Sequence, residues 1–300
     1  MAVRWLDLVD PTPDELRASL PVPVDADVLE ALSARPVPGR EALPLLEGRG
    51  AYVFGVVTAP WPVPDEDRVL YQEVGLVAAP ELLVTVRKTP PGGAPFGASG
   101  LAPAAAAGAP VGLLVHRLLD DVADAYLAAL DATFSEIEEL EDGLEVWPAA
   151  RVRARVTALR HELLHSRRGA SAMRAAVRRI LDGRVDVEGD GLFPPEVERL
   201  LADTYETLVR VTEELDVARD LVAGAREHYQ SLVLESQGEV TKRLTVIASL
   251  VLVPSFIVGF YGQNFEGAFD EGFWSLGVST ALIVASTVLQ LALFRWRRWI

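Results

Sequence analysis

Residues 241–265 read TKRLTVIASLVLVPSFIVGFYGQNF, and a second apolar run at 276–294 follows a short polar loop. An α-helix rising ~1.5 Å per residue needs about 17 to 20 predominantly apolar residues to cross a hydrocarbon core ~30 Å thick. Residues 244–260 and 276–294 both meet that requirement, so the chain is expected to cross a membrane twice. A secretory leader explains neither run, because both lie late in the chain and residues 1–30 lack a basic start followed by an apolar core. A buried soluble hairpin is the alternative that length alone permits.

The flanks give the orientation. Lys242 and Arg243 precede the first run and Arg295, Arg297 and Arg298 follow the second, whereas the loop between them carries only Glu266, Asp270 and Glu271. Basic residues stay on the cytoplasmic side, which puts both termini in the cytoplasm and the loop outside, in a multi-pass protein of the cell inner (cytoplasmic) membrane. Trp274 at one end of the second run, with Trp296 and Trp299 at the other, fits an aromatic belt at each interface.

The rest of the 300 residues is acidic. The chain holds 28 Lys and Arg against 43 Asp and Glu, and its last 61 residues contain 5 of the former and 3 of the latter. Residues 1–239 therefore hold 23 basic and 40 acidic residues, a formal charge of −17. Such a cytoplasmic part disfavours nucleic acid as a partner and permits attraction of cations, although a solvated acidic surface accounts for many of the carboxylates equally well. Cysteine is absent, which excludes disulfides and thiolate metal sites.

Along the chain, residues 5–8 alternate and Thr12 to Leu16 reads as a helix start with acidic residues in its first turn. Runs rich in Val, Leu and aromatics at 52–57, 72–77 and 82–86 predict a small sheet with helices. Residues 89–110 are Pro, Gly and Ala rich and read as a linker. From residue 111 the apolar period becomes 3.6, through Leu114, Leu118, Val122, Tyr126, Leu130, Phe134, Ile137 and Leu140. An arginine-rich helix at about 151–181 follows, expected to pack antiparallel to the first, acidic against basic. Pro194 and Pro195 then suit the first turn of a helix that could run to Gly262.

Two motifs carry chemistry. His161-Glu162-Leu163-Leu164-His165 spells HExxH, in which two histidines one turn apart bind zinc and the glutamate serves as general base. The remaining histidines, His116 and His228, lie in other helices and offer no evident third ligand, and Arg160, Arg167 and Arg168 crowd the pair. A membrane-anchored HExxH metallopeptidase is therefore the enzyme alternative to a protein that is not an enzyme. The second motif is Gly262-Gln263-Asn264 at the mouth of the first span. Irregular backbone there is tolerated only where it faces water or protein, and neutral amide oxygens suit a hard cation that keeps part of its hydration shell. A polar turn that lets two helices reverse is the plainer reading of the same residues.

The stretch 241–265 resembles the CorA-type magnesium transporter family, whose signature Tyr-Gly-Met-Asn-Phe ends the first of two C-terminal spans. Weaker likeness extends through WLDLVDPTPDEL (5–16), YQEVGLVAAPELLVTV (71–86), LLVHRLLDDVADAYLAALDATFSEIEELED (113–142) and LRHELLHSRR (159–168). Gly262 and Asn264 match the signature, while Gln263 replaces its methionine, and relatives with altered middle residues include zinc transporters.

The resemblance implies an α+β membrane protein without organic cofactor. Its parts would be an α/β cytoplasmic domain at 1–110 with the linker at 89–110, a helical arm at 111–193, a stalk at 194–243, spans at 244–262 and 276–294, and an outer loop at 263–275. It implies a homopentamer in the lipid bilayer carrying divalent cations, Mg²⁺ first and Zn²⁺, Co²⁺ or Ni²⁺ as alternatives. Gly262, Gln263 and Asn264 would form the entrance, Ser255 a hydroxyl ring, Leu252, Leu244 and Thr241 constrictions, and Gly238 and Glu227 rings in the cytoplasmic funnel. Thr241 stands where a large apolar residue is common in that family and Gly238 where asparagine is. Asp203 matches a stalk carboxylate that shares a regulatory divalent-cation site with an acidic residue of the neighbouring sheet domain; Asp65, Glu66 or Asp67 is the candidate partner, and exposed surface carboxylates are the alternative.

Overall fold

The computed structural model describes residues 3–20, 23–63, 68–97, 100–187, 191–262 and 272–299. They fall into two compact units, Met1–Arg226 and Glu227–Ile300. The first unit begins with β1 (Arg4–Val9), α1 (Pro13–Ser19) and α2 (Ala26–Ser33), followed by β2 (Leu45–Gly48), β3 (Val53–Pro62), β4 (Val69–Ala79) and β5 (Leu82–Arg87). The strands form one sheet in the order β1-β5-β4-β3-β2, with β1 parallel to β5 and every other pair antiparallel. Helix α1 starts where the sequence places it, on a capping box in which Thr12 and Glu15 satisfy each other's backbone donors.

Both faces of the sheet are covered, so its central strands read as nearly unbroken apolar runs rather than as alternations. On one face Tyr52, Phe54, Val56, Val77 and Val84 pack with Leu16 of α1 and Val28 and Leu32 of α2. The other face meets α4 (Val111–Gly143), preceded by the short α3 (Leu101–Ala106). Within the Pro, Gly and Ala rich stretch Phe96 and Leu101 are buried, Gln72 Nε2 donates to the Ala94 carbonyl at 2.7 Å, and Arg87 Nη1 to that of Phe96 at 2.7 Å. Two long polar side chains from the sheet thus satisfy backbone carbonyls of this stretch.

Helix α5 (Ala149–Leu181) returns antiparallel to α4, with Arg155 Nη2 2.6 Å from Glu136 and Arg151 Nη2 3.6 Å from Glu139. Nearer the sheet Tyr126 fills the notch left by Gly169. Helix α6 (Pro195–Tyr261) begins on the proline pair and leaves the first unit for the second. Its first turns lie against α5 through Arg167–Asp216 at 2.6 Å and Arg174 Nη1 to Thr212 Oγ1 at 3.0 Å. Helix α7 (Gly272–Trp296) completes the second unit. Each of these last two helices carries a stretch long and apolar enough to span a membrane.

Candidate ion path along the first membrane helix

Glu227, Gly238, Thr241, Leu244, Leu252 and Ser255 all lie on α6, and Gly262 follows its last turn. Where α6 turns apolar, one side is covered and the other is open. Val246 is 7% exposed, and Ser249, Leu250, Val253, Pro254, Ile257 and Tyr261 are half-buried, a set recurring three and four apart. Leu244 and Leu252, by contrast, are 66% and 71% exposed. At 100° per residue Thr241, Leu244, Leu252, Ser255 and Gly262 project from the side opposite the covered one. Further down the same helix Glu227 is exposed and Gly238 half-buried.

Hydroxyls on this helix donate inward. Ser255 Oγ donates to the Val251 carbonyl at 2.7 Å and Thr241 Oγ1 to that of Gln237 at 2.9 Å. With the single O–H spent on the helix, what each presents outward is oxygen lone pairs, the polarity a cation needs. Pro254 supplies no N–H to the Leu250 carbonyl, which therefore lacks its usual in-helix donor in the middle of the apolar stretch.

At the mouth, Gly262 N donates to the Val258 carbonyl at 2.8 Å. A Cβ at 262 would lie 3.0 Å from that oxygen, tighter than most Cβ contacts. A Cβ at Gly238 would meet nothing within 4 Å, so one chain by itself gives no reason for glycine there. Gln263 and Asn264 lie outside the described residues, as do Asp65, Glu66 and Asp67.

Asp203 is exposed on α6 in the first unit, where its carbonyl accepts from Thr207 Oγ1 at 3.2 Å. Its carboxylate is one of the charges felt by His116 on α4. Burial pushes the His116 imidazole below its usual value, against the opposing influence of Asp120, a backbone hydrogen bond at Leu200, and Asp203.

The HELLH segment lies in α5. His161, Glu162 and His165 line a cavity of about 390 Å³ with Tyr71 and Glu41. The His165 ring lies 4.1 Å from that of Tyr71, tilted by 56°, and its Nε2 is 3.2 Å from Glu41 Oε2. Among the described residues no three His, Asp or Glu converge on a point where a metal ion could sit. Two features escape sequence reasoning: the buried Lys88–Glu73 pair in the sheet, and the buried, unpartnered Gln290 amide oxygen in α7. The one amide side chain inside the second apolar run is the available signal for Gln290.

A family model described as "CorA-like Mg2+ transporter protein" matches residues 1–297. The chain belongs to this CorA-like family. Family members are membrane transporters, not enzymes, and the HELLH segment is in this setting a stretch of arm helix. The "Cobalt/magnesium transport protein CorA" of Thermotoga maritima is 28% identical over 193 residues, which cover 62% of this chain and 52% of that relative. The chain is thus matched to about half the relative's length. The complete structure of the CorA magnesium transporter from Methanocaldococcus jannaschii superposes with a TM-score of 0.81 at 20% identity, covering 100% of this chain and 92% of that one. The full-length CmaX protein does so with a TM-score of 0.72 at 19% identity, over 98% of this chain and 88% of that one. These likenesses establish the fold: a CorA-like α/β domain, a long helix and two C-terminal membrane helices.

Proposed function

We propose that the protein is a divalent-cation channel of the cytoplasmic membrane that admits Mg²⁺ down its electrochemical gradient. Five copies surround a single pore, each contributing the open side of α6. The observation that carries this reading is the division of that helix: hydroxyl oxygens and large aliphatic side chains share the side opposite the one its own chain covers. On the entering ion's path, Gly262, Gln263 and Asn264 present amide and carbonyl oxygens to the hydrated cation, and Ser255 a ring of hydroxyl oxygens below. Leu252, Leu244 and Thr241 are the constrictions, with Gly238 and Glu227 in the funnel beyond. Thr241 in place of a bulky apolar residue gives a wetter lower gate. Both termini face the cytoplasm, and no covalent step is needed.

A potential of about 100 mV, negative inside, contributes about 2.3 kcal/mol per charge and so roughly 4.6 kcal/mol for a dication, enough to drive uptake. Closure is set by intracellular cation: Asp203, with Asp65, Glu66 or Asp67 of the adjacent copy, binds a bridging Mg²⁺ that holds the copies together. Gln263 favours a second reading, a Zn²⁺, Co²⁺ or Ni²⁺ transporter of the same fold, because the residue beside the entrance asparagine departs from methionine. Flux of Mg²⁺, Zn²⁺, Co²⁺ and Ni²⁺ into liposomes carrying the purified protein decides between them. Fast Mg²⁺ entry supports the first; entry confined to the softer ions supports the second; absence of any cation flux refutes both.

A further inference from the structure

On the outer face of α4, Asp124, Asp131 and Glu138 recur every seven residues, a spacing that returns to nearly the same side of a helix, and all three are exposed. On α5, Arg153, Arg160 and Arg168 recur at intervals of seven and eight and are exposed as well. Neighbouring charges on both helices are matched within the chain, Glu136 by Arg155, Glu139 by Arg151 and Arg167 by Asp216. Among the described residues none of the six finds an ion-pair partner.

The two matched pairs that join α4 to α5 also fix the level of one helix against the other. Stepping along each helix from Glu136–Arg155 puts Glu138 level with Arg153, and Asp131 level with Arg160. Within one chain these residues do not face each other, because the bridging residues occupy different sides of both helices. The acidic stripe lies opposite the α4 residues that are buried, among them Val122, Tyr126 and Thr133.

We propose that the arginine stripe on α5 of one copy docks on the acidic stripe on α4 of the next, in the same sense around the ring. The proposal rests on the homo-oligomer described above and adds its direction and register. The proposal takes the ring axis along α4 and α5; rotation about such an axis preserves height, so residues at one level are the ones that meet between copies. Complementary patches on the two flanks of one chain make a head-to-tail interface, the kind that closes into a ring. Like charge disfavours α4 on α4 and α5 on α5. Anionic lipid would serve the arginines but leave the equally regular acidic stripe unmatched. Exposed ion pairs are individually weak, so the stripes set which copy faces which rather than supplying the adhesion.

The chain has no cysteine, so a disulfide test needs no prior substitution. The double variant Glu138→Cys/Arg153→Cys, oxidised mildly in membranes, is expected to give a ladder of covalent dimers and higher species. Each single-cysteine variant is expected to stay monomeric on the same gel, because equivalent positions never meet in a head-to-tail ring. Raising salt from about 0.1 M to about 1 M shortens the Debye length from about 10 to about 3 Å and is expected to slow the ladder several-fold. Arg160→Glu should weaken it, and adding Asp131→Arg should restore it. The mass of the uncross-linked particle separates two failures. An intact oligomer without a ladder, or with Glu138→Cys joining to itself, overturns the stripe interface alone; a monomeric particle overturns the assembly with it.

Discussion

Lys88 Nζ stands 2.9 Å from Glu73 Oε2 with the two side chains 5% and 4% exposed, a buried ion pair at the centre of the sheet domain. The ammonium also donates to the Ala31 carbonyl at 2.9 Å, and Glu73 Oε1 accepts from the Ala42 backbone at 2.9 Å. The pair therefore ties α2 and the segment before β2 to the middle of the sheet. Removing one partner leaves a buried charge, which costs about 3–5 kcal/mol, whereas replacing both by apolar residues is often near neutral. Lys88→Met and Glu73→Leu are each expected to lower the urea midpoint strongly, and the double variant to recover most of the loss. A double variant as unstable as the sum of the two would show that the charges are not coupled.

Tyr126 and Gly169 make a second checkable contact. A Cβ at 169 would lie 2.3 Å from the Tyr126 hydroxyl oxygen, which is buried with no hydrogen-bond partner among the described residues. Gly169→Ala should cost about 1–3 kcal/mol through overpacking, despite the ~1 kcal/mol that alanine gains over glycine in a helix. Adding Tyr126→Phe removes the clashing atom and should turn the same alanine into a neutral or stabilising change. Thermal unfolding of the three variants reads this out directly.

Long-range contacts such as these are what the sequence conceals. The two spans, the 3.6-residue period of α4 and the start of α6 at Pro194-Pro195 are local signals, and the strands read at 52–57, 72–77 and 82–86 are found, longer, as β3, β4 and β5. Strand β2 has four residues, too few for a period to show, and α3 is hidden in an Ala-rich stretch punctuated by proline. In the sequence neither Glu73 nor Lys88 carries a mark of its partner. On the candidate path, positions could be assigned from resemblance, but the division of α6 into covered and open sides requires coordinates. The Gln263 and Asn264 entrance lies outside the described residues and rests on sequence alone.

His116 predicts a pH dependence. Burial, the largest influence, lowers its folded-state value, so the unfolded chain binds the proton more readily. Stability should then rise with pH through the window below the ordinary histidine value of about 6.5 and level off above it. His116→Gln should flatten that part of the profile relative to the parent protein. An equal slope in both would assign the dependence to other groups.

Asp203→Ala should leave the pore able to conduct while weakening the dependence of closure and of protease resistance on Mg²⁺, because an oxygen site loses a ligand. Limited proteolysis across a Mg²⁺ series measures it. Protection at unchanged Mg²⁺ concentration would place the sensor elsewhere.

In the proposed assembly Ser255→Ala removes a ring of oxygen acceptors without opening the helix, since the hydroxyl donates to the Val251 carbonyl of the preceding turn. Mg²⁺ flux should fall while assembly and thermal stability stay as they were. Loss of assembly instead would make Ser255 a packing residue.

Mg²⁺ uptake by liposomes holding Asn264→Ala protein, at matched oligomer content, tests the central claim most directly. In the proposed pentamer the substitution removes five amides from the entrance, and entry requires that something replace the ion's outer hydration. Uptake is expected to fall by about tenfold or more, equivalent to losing about 1.4 kcal/mol of stabilisation at the entrance. Parent-level uptake by a well-folded Asn264→Ala oligomer would contradict the account and return the motif to a polar turn between two membrane helices.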